Sequence, residues 1–181
     1  WPSLMPSWGF CLMNIIRGAG EIRIMLNGDV IMKRIEGHEG CRLMPYYDTK
    51  GKLTIGIGRC IDTNPFTPEE LRAVGDYQHG ITKNAALMLL RNDIEKCLRL
   101  LESKIFFFKE LDSERQYALI DLCFQLGIKG LLKFRKMLRY MRFRRWDEAA
   151  KECLNSKYAS VDTPKRARRI AELIKTGRWK E

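Results

Sequence analysis

The chain has 181 residues, 45% of them hydrophobic and 30% charged, with 33 basic against 22 acidic side chains and a net charge of +11. That balance excludes global disorder and leaves room for one packed domain or a domain of two lobes. The positive excess favours a polyanionic partner, whether nucleic acid, an anionic membrane surface or an acidic cell-wall polymer, and does not choose among them.

The first sixteen residues, WPSLMPSWGFCLMNII, carry no charge. They lack the basic start of a signal peptide, and Pro2, Pro6 and Gly9 break them too often for a spanning helix. Residues 1–28 are expected to be an extension outside the fold. From Asp29 a helix is expected, with Ile31, Arg34, Ile35 and His38 on one face and Gly40 as its stop. Glu39 then lies in its last turn. Leu43, Tyr46 and Tyr47 precede the turn composition Asp48-Thr49-Lys50-Gly51, and Lys52–Ile57 reads as the return strand. A third short strand is expected at Arg59–Asp62. The stretch from Asn64 to Gly80 reads as loop. From Ile81 the periodicity is helical: a long helix capped by Thr82, another capped by Asp112 or Ser113 and broken at Gly127 and Gly130, then Arg135–Arg142, Trp146–Leu154 and a last helix from Thr163-Pro164 to about Thr176. The pattern is α+β. A small mixed lobe (29–80) precedes a larger helical lobe (81–181), the long helix joins them, and a cleft between them is the natural ligand site.

The six cysteines, Cys11, Cys41, Cys60, Cys97, Cys123 and Cys153, are scattered without a zinc spacing, and only His38 and His79 could add to them. No metal site is expected, and the thiols are expected to be mostly buried and reduced.

The segment His38–Arg59 carries the chemistry. Hydrolysis of a glycosidic bond needs a proton for the leaving oxygen and help at the anomeric carbon, which two carboxyls on opposite sides of the bond supply. Glu39, held at a helix end and partly buried, suits the acid. Asp48, opening a solvated turn, suits the charged partner. The Thr54 hydroxyl on the return strand can hold a water with it. Singly, each residue has a duller explanation: a solvated helix end, a turn aspartate, a strand threonine. Together, E-G-(x)7-Y-D-T-x-G-(x)2-T-I-G-x-G fixes element types and spacing at once.

That stretch resembles the active-site segment of phage-type lysozymes, the T-even phage endolysin family of glycoside hydrolase family 24. The resemblance implies a lysozyme-like α+β fold with a small β-hairpin lobe and a helical lobe. It assigns Glu39 as general acid and Asp48 and Thr54 as holders of the attacking water, with inversion at the anomeric carbon. "CFQLG" at Cys123–Gly127 is similar to a family helix whose Phe lines the cleft, which points to Phe124. "RRWDEAA" and "TPKRARRI…TGRW" are similar to later family helices, and the arginine matching Arg166 pairs with the catalytic Glu. The likeness runs from about Met32 to the C-terminus. It has departures. The relatives carry a structural, ion-paired His where this chain has Arg59, so that pair does not carry over. A cleft Leu is matched by Cys60, which is kept as a substrate-contact candidate. Two polar contacts fall on Met137 and Glu152 and are not carried over. His38 is a supporting candidate that more ordinarily pairs locally.

The implied function is that of a muramidase cleaving the β-1,4 bond between N-acetylmuramic acid and N-acetylglucosamine in peptidoglycan, for host lysis. The implied enzyme is a monomer, needs no cofactor, and accumulates in the host cytoplasm until a holin-like pore admits it to the periplasm and wall. The run RKMLRYMRFRRW at Arg135–Trp146 mixes cations and aromatics, yet its helical spacing gives an apolar and a solvated face, so nucleic acid is not expected as partner. Stable membrane insertion is not expected either. The competing readings are a cationic wall- or membrane-binding protein acting without catalysis, and an inert copy of the fold, which the intact Glu39/Asp48/Thr54 set argues against. No added module marks the chain as virion-associated.

Overall fold

The computed structural model describes residues 27–159 and 164–179. The expected extension lies outside these apart from Asn27 and Gly28. Asn27 is the cap of the first helix, α1 (Gly28–Glu39), where its side-chain oxygen accepts the N–H groups of Asp29 and Val30. Ile31 and Ile35 turn one face of α1 into the core. At the other end Gly40, at φ 68°, donates its N–H to the Glu36 carbonyl and stops the helix.

Three antiparallel strands follow: β1 (Arg42–Tyr47), β2 (Leu53–Gly56) and β3 (Arg59–Cys60), in that order across the sheet. Tyr46 pairs with Thr54, and Thr54 with Cys60, so Thr54 sits on the middle strand. The third strand is shorter than expected. It ends at Cys60, and Asp62 instead accepts the Leu53 N–H through its side chain at 2.9 Å. A second correction concerns the expected loop. Pro68–Val74 is a helix, α2, opened by a capping box in which Thr67 and Glu70 satisfy each other's backbone N–H groups. The signal, Thr67-Pro68-Glu69-Glu70, is in the sequence.

The helical part runs as α3 (Lys83–Lys104), α4 (Ser113–Leu131), α5 (Arg135–Arg142), α6 (Trp146–Leu154) and α7 (Pro164–Thr176). Thr82 and Asp112 cap α3 and α4 through side-chain oxygens. Ala118 to Cys123 are all buried, so α4 is enclosed around its circumference, with Asp121 the one charged side chain in that run, and forms the centre of the core, packed on α3 and α7. Gly127 (φ 66°, ψ 165°) breaks α4, a backbone geometry open to little but glycine. Helical turns resume to Leu131, so Gly130 does not act as a break. Arg115 ties the start of α4 to the end of α7 by donating to the carbonyls of Ile174 (2.8 Å) and Lys175 (3.0 Å).

One buried ionic group joins sheet and helices. Arg59, 3% exposed, donates to Asp93 of α3 at 2.7 Å and forks onto Glu70 of α2 at 2.8 and 3.0 Å. Arg59 thus makes two buried ion pairs of its own, one to Glu70 and one to Asp93. The Arg59 hydrogen bonds hold the Glu70 pKa at about 2, against the cost of its burial. Burial dominates at Asp93 and keeps its pKa above the ordinary value despite Arg59.

Arg59→Ala strands two buried carboxylates and should cost about 3–5 kcal/mol. At about 2–4 °C per kcal/mol for a chain of this size, calorimetry should see the melting temperature fall by roughly 10 °C; a shift within a degree would remove the network from the fold's supports. Glu70→Gln isolates one arm. A depressed carboxylate stabilises above its unfolded pKa and loses that effect as pH falls through its folded one. The deficit of Glu70→Gln against wild type should therefore be full above pH 4.5 and close as pH approaches 2.

Candidate active site

A cavity of about 820 Å³ lies between the hairpin and helices α3, α4 and α7. Glu39, Asp48, Thr54, Cys60, Phe124 and Arg166 all line it. Every candidate named from the sequence is there except His38.

Glu39 enters from the C-terminal end of α1, its side chain 24% exposed. The Arg166 Nη1 donates to its Oε1. The opposite side of the carboxyl is fixed by an absence. Gly58 has φ +74°, and a Cβ there would stand 3.2 Å from Glu39 Oε2 and 3.3 Å from its Cδ. A side chain there would press the carboxyl by a few tenths of an ångström, and the positive φ itself favours glycine.

Asp48 folds its own turn. Its Oδ1 accepts the N–H groups of Lys50 (2.8 Å) and Lys52 (2.9 Å). These bonds, the one from Lys52 foremost, and the nearby lysine charges hold its pKa below the ordinary carboxylate value. Thr54 is 4% exposed, and its hydroxyl donates to the Lys52 carbonyl at 3.1 Å. With its proton so engaged, the hydroxyl oxygen is left as an acceptor. Tyr46, paired with Thr54 across the strands, also lines the cavity. Burial raises the pKa of its phenol, and the charges of Glu39 and Asp48 add to the rise, so it stands in the field of both carboxylates.

Arg166 itself is held from behind. Its Nε donates to Asp121 Oδ2 at 3.0 Å and its Nη2 to Asp121 Oδ1. Asp121 is wholly buried and also accepts from Gln125, whose amide in turn pairs with the Tyr158 hydroxyl. Burial opposes the Arg166 charge, but Asp121 and Glu39 outweigh it and leave its pKa above the ordinary value. Asp121 and Gln125 were not anticipated. A signal existed: an Asp inside an otherwise apolar helical run must find a cation or become neutral.

His38 packs instead toward Trp179, ring centroids 6.2 Å apart. Burial first, and then the charge of Arg166, push its pKa below 6.5, so it is neutral at neutral pH. Its Nε2 is buried with no hydrogen-bond partner. It is a packing residue behind the acid and has no access to the cleft. Phe124 lines the cavity and packs half-buried against the core. Cys97 and Cys123 meet on the cavity wall. Their mutual hydrogen bond and then burial raise the Cys97 pKa, while the same bond lowers that of Cys123. The five described cysteines are free, with Cys97, Cys123 and Cys153 buried and Cys41 and Cys60 partly so; Cys11 lies outside the described residues. Among the described residues no cluster of three or more His, Cys, Asp or Glu is placed to hold a metal ion.

The arrangement offers a carboxyl oriented by a buried guanidinium and an ionised carboxylate with an acceptor hydroxyl nearby, all lining one cavity of about 820 Å³. Comparison with known proteins agrees. The phage lysozyme family model matches residues 36–172. The probable T4-type lysozyme 2 of Dictyostelium discoideum is 32% identical over 157 residues, covering 79% of this chain and 92% of that protein. The probable T4-type lysozyme 1 of the same organism is 31% identical over 153 residues, 77% of this chain and 89% of that protein. The pre-baseplate central spike protein Gp5 of Enterobacteria phage T4 is 31% identical over 152 residues, 77% of this chain and 26% of that larger protein. The α+β fold, the cleft and these matches together place the chain in the phage lysozyme family.

Proposed function

We propose that this lysozyme-family protein hydrolyses the β-1,4 bond between N-acetylmuramic acid and N-acetylglucosamine by single displacement with inversion. The observation that carries this reading is the convergence of Glu39, Asp48 and Thr54 on one cavity, with Glu39 fixed between Arg166 and Gly58. Family membership supports a glycoside hydrolase acting on peptidoglycan.

Glu39 donates its proton to the leaving glycosidic oxygen as that bond breaks. A water donates one hydrogen to the Asp48 carboxylate and the other to the Thr54 oxygen. Its free lone pair then faces the anomeric carbon from the opposite side. Asp48 takes the water's proton as the new C–O bond forms. The turn N–H groups that keep Asp48 ionised let it serve as that base at neutral pH. Phe124 supplies an apolar face to the sugar chain, and Cys60 a small contact. No cofactor takes part. The enzyme works as a monomer in host lysis, reaching the wall from the host cytoplasm through a holin-like pore. The positive net charge favours its accumulation on an acidic wall.

Purified protein should clear a peptidoglycan suspension and release sugar reducing ends, and Glu39→Gln should lose both by about 10³-fold or more. Proton NMR of the first products should show the α anomer ahead of mutarotation. Early β anomer would replace inversion by a covalent intermediate. Clearing of whole cells equally by wild type and Glu39→Gln, without reducing ends, would replace catalysis by cationic damage.

Gly58→Ala should displace the acid rather than the substrate. The carboxyl would have to give by a few tenths of an ångström, which should lower kcat by roughly tenfold with KM little changed. The same residue at positive φ should cost about 1 kcal/mol of stability. An unchanged kcat would show that Glu39 has room to spare.

A further inference from the structure

From Ile128 to Trp146 the sequence has no acidic residue, and its cations exceed what the cleft uses. The surface they build has an apolar centre. After α3 the run Ile105-Phe106-Phe107-Phe108 buries Ile105, Phe107 and Phe108 and leaves Phe106 69% exposed. At the end of α5, Phe143 is 59% exposed. The Arg142 guanidinium carbon lies 4.7 Å from the Phe106 ring centroid and 5.3 Å from that of Phe143, joining two separate segments into one patch. Arg139, one turn before Arg142, and Arg144, two residues after it, are also exposed. Among the described residues none of these three arginines has a carboxylate partner. Arg144 holds φ +55°, a left-handed backbone position where glycine would fit with less strain.

We propose that Phe106 and Phe143, ringed by Arg139, Arg142 and Arg144, form a docking surface for an anionic lipid bilayer. The charge complementarity is direct: guanidinium forks match phosphate oxygens, while two rings without polar tips gain by immersion among acyl chains. An acidic polysaccharide would use the cations and leave the rings in water. A polynucleotide needs a channel that tracks its backbone, and neither ring lines either of the protein's two described cavities. The attachment is peripheral, since no described helix is long and apolar enough to cross a membrane. It would hold the enzyme on a membrane face with its cleft free, because none of these residues lines the cleft.

The test is co-sedimentation of the full chain with vesicles of phosphatidylethanolamine and phosphatidylglycerol, against phosphatidylcholine alone, at about 0.15 M salt, where exposed charges act over roughly 8 Å. Wild type and Glu39→Gln should both bind the anionic vesicles and ignore the neutral ones. The double variant Phe106→Ser/Phe143→Ser should bind about tenfold more weakly or worse, and Arg142→Gln several-fold more weakly, with peptidoglycan clearing and melting temperature unchanged. Equal vesicle binding by wild type and the double variant would overturn the proposal. So would absence of vesicle binding, with retention on single-stranded DNA or on purified wall polymer identifying the other partner.

Discussion

A guanidinium cannot be buried without carboxylates, and the position of Arg166 follows from that constraint. It reaches from α7 to Asp121 on α4 and to Glu39 on α1, two side chains 45 and 127 residues distant in sequence. Neither carboxylate could be placed there alone: Asp121 is wholly enclosed, and Glu39 ends a helix beside the cleft. Truncating the arginine would leave an uncompensated buried charge, which is why such a triad fixes three helices more firmly than its net contribution to stability suggests. The proposed acid is therefore aimed by the core of the helical part, through a residue that belongs to the last helix.

Arg59 solves the same problem on the other side of the cleft. It draws α2 and α3 onto the short third strand through Glu70 and Asp93. The two ionic knots bracket the site: one sets the acid, the other sets the edge strand β3, against which the strand carrying Thr54 pairs. Between them the turn at Asp48 is held by its own backbone N–H groups and needs no help from the core.

Local signals were legible, whereas of the long-range pairings only Arg166 with Glu39 was, and that through the family resemblance. Thr82, Asp112, Gly40 and Gly127 each mark an element end through a bond or dihedral made within a few residues, so the sequence displays them. The α2 capping box was equally local, yet the flanking prolines and glycines masked it. Glu39, Asp48 and Thr54 stand within one short segment, so their order and spacing could be read together. The other partners of Arg59 and Arg166, namely Glu70, Asp93 and Asp121, lie elsewhere in the chain, and although Asp121 stands out as an Asp in an apolar run, no local signal names the arginine it meets. His38 shows the opposite case, where closeness in sequence does not bring closeness to the site. Its neighbour in sequence is the acid, but a helix rotates successive residues by about 100°, and this one turns His38 toward Trp179.

By chain order α1 sits with the hairpin, but by contact it belongs to the helices. Arg34 pairs with Glu114 at 2.7 Å and lies 4.1 Å from the Trp179 ring, and Glu39 is held from α7. The proposed acid and the proposed water-holding pair thus ride on different bodies, with only Gly40 and Cys41 of chain between α1 and the sheet. Any breathing of the cleft about α3 changes the gap between proton donor and nucleophile. Catalysis as proposed therefore depends on how α1 is seated on the helices as much as on the geometry of the hairpin itself.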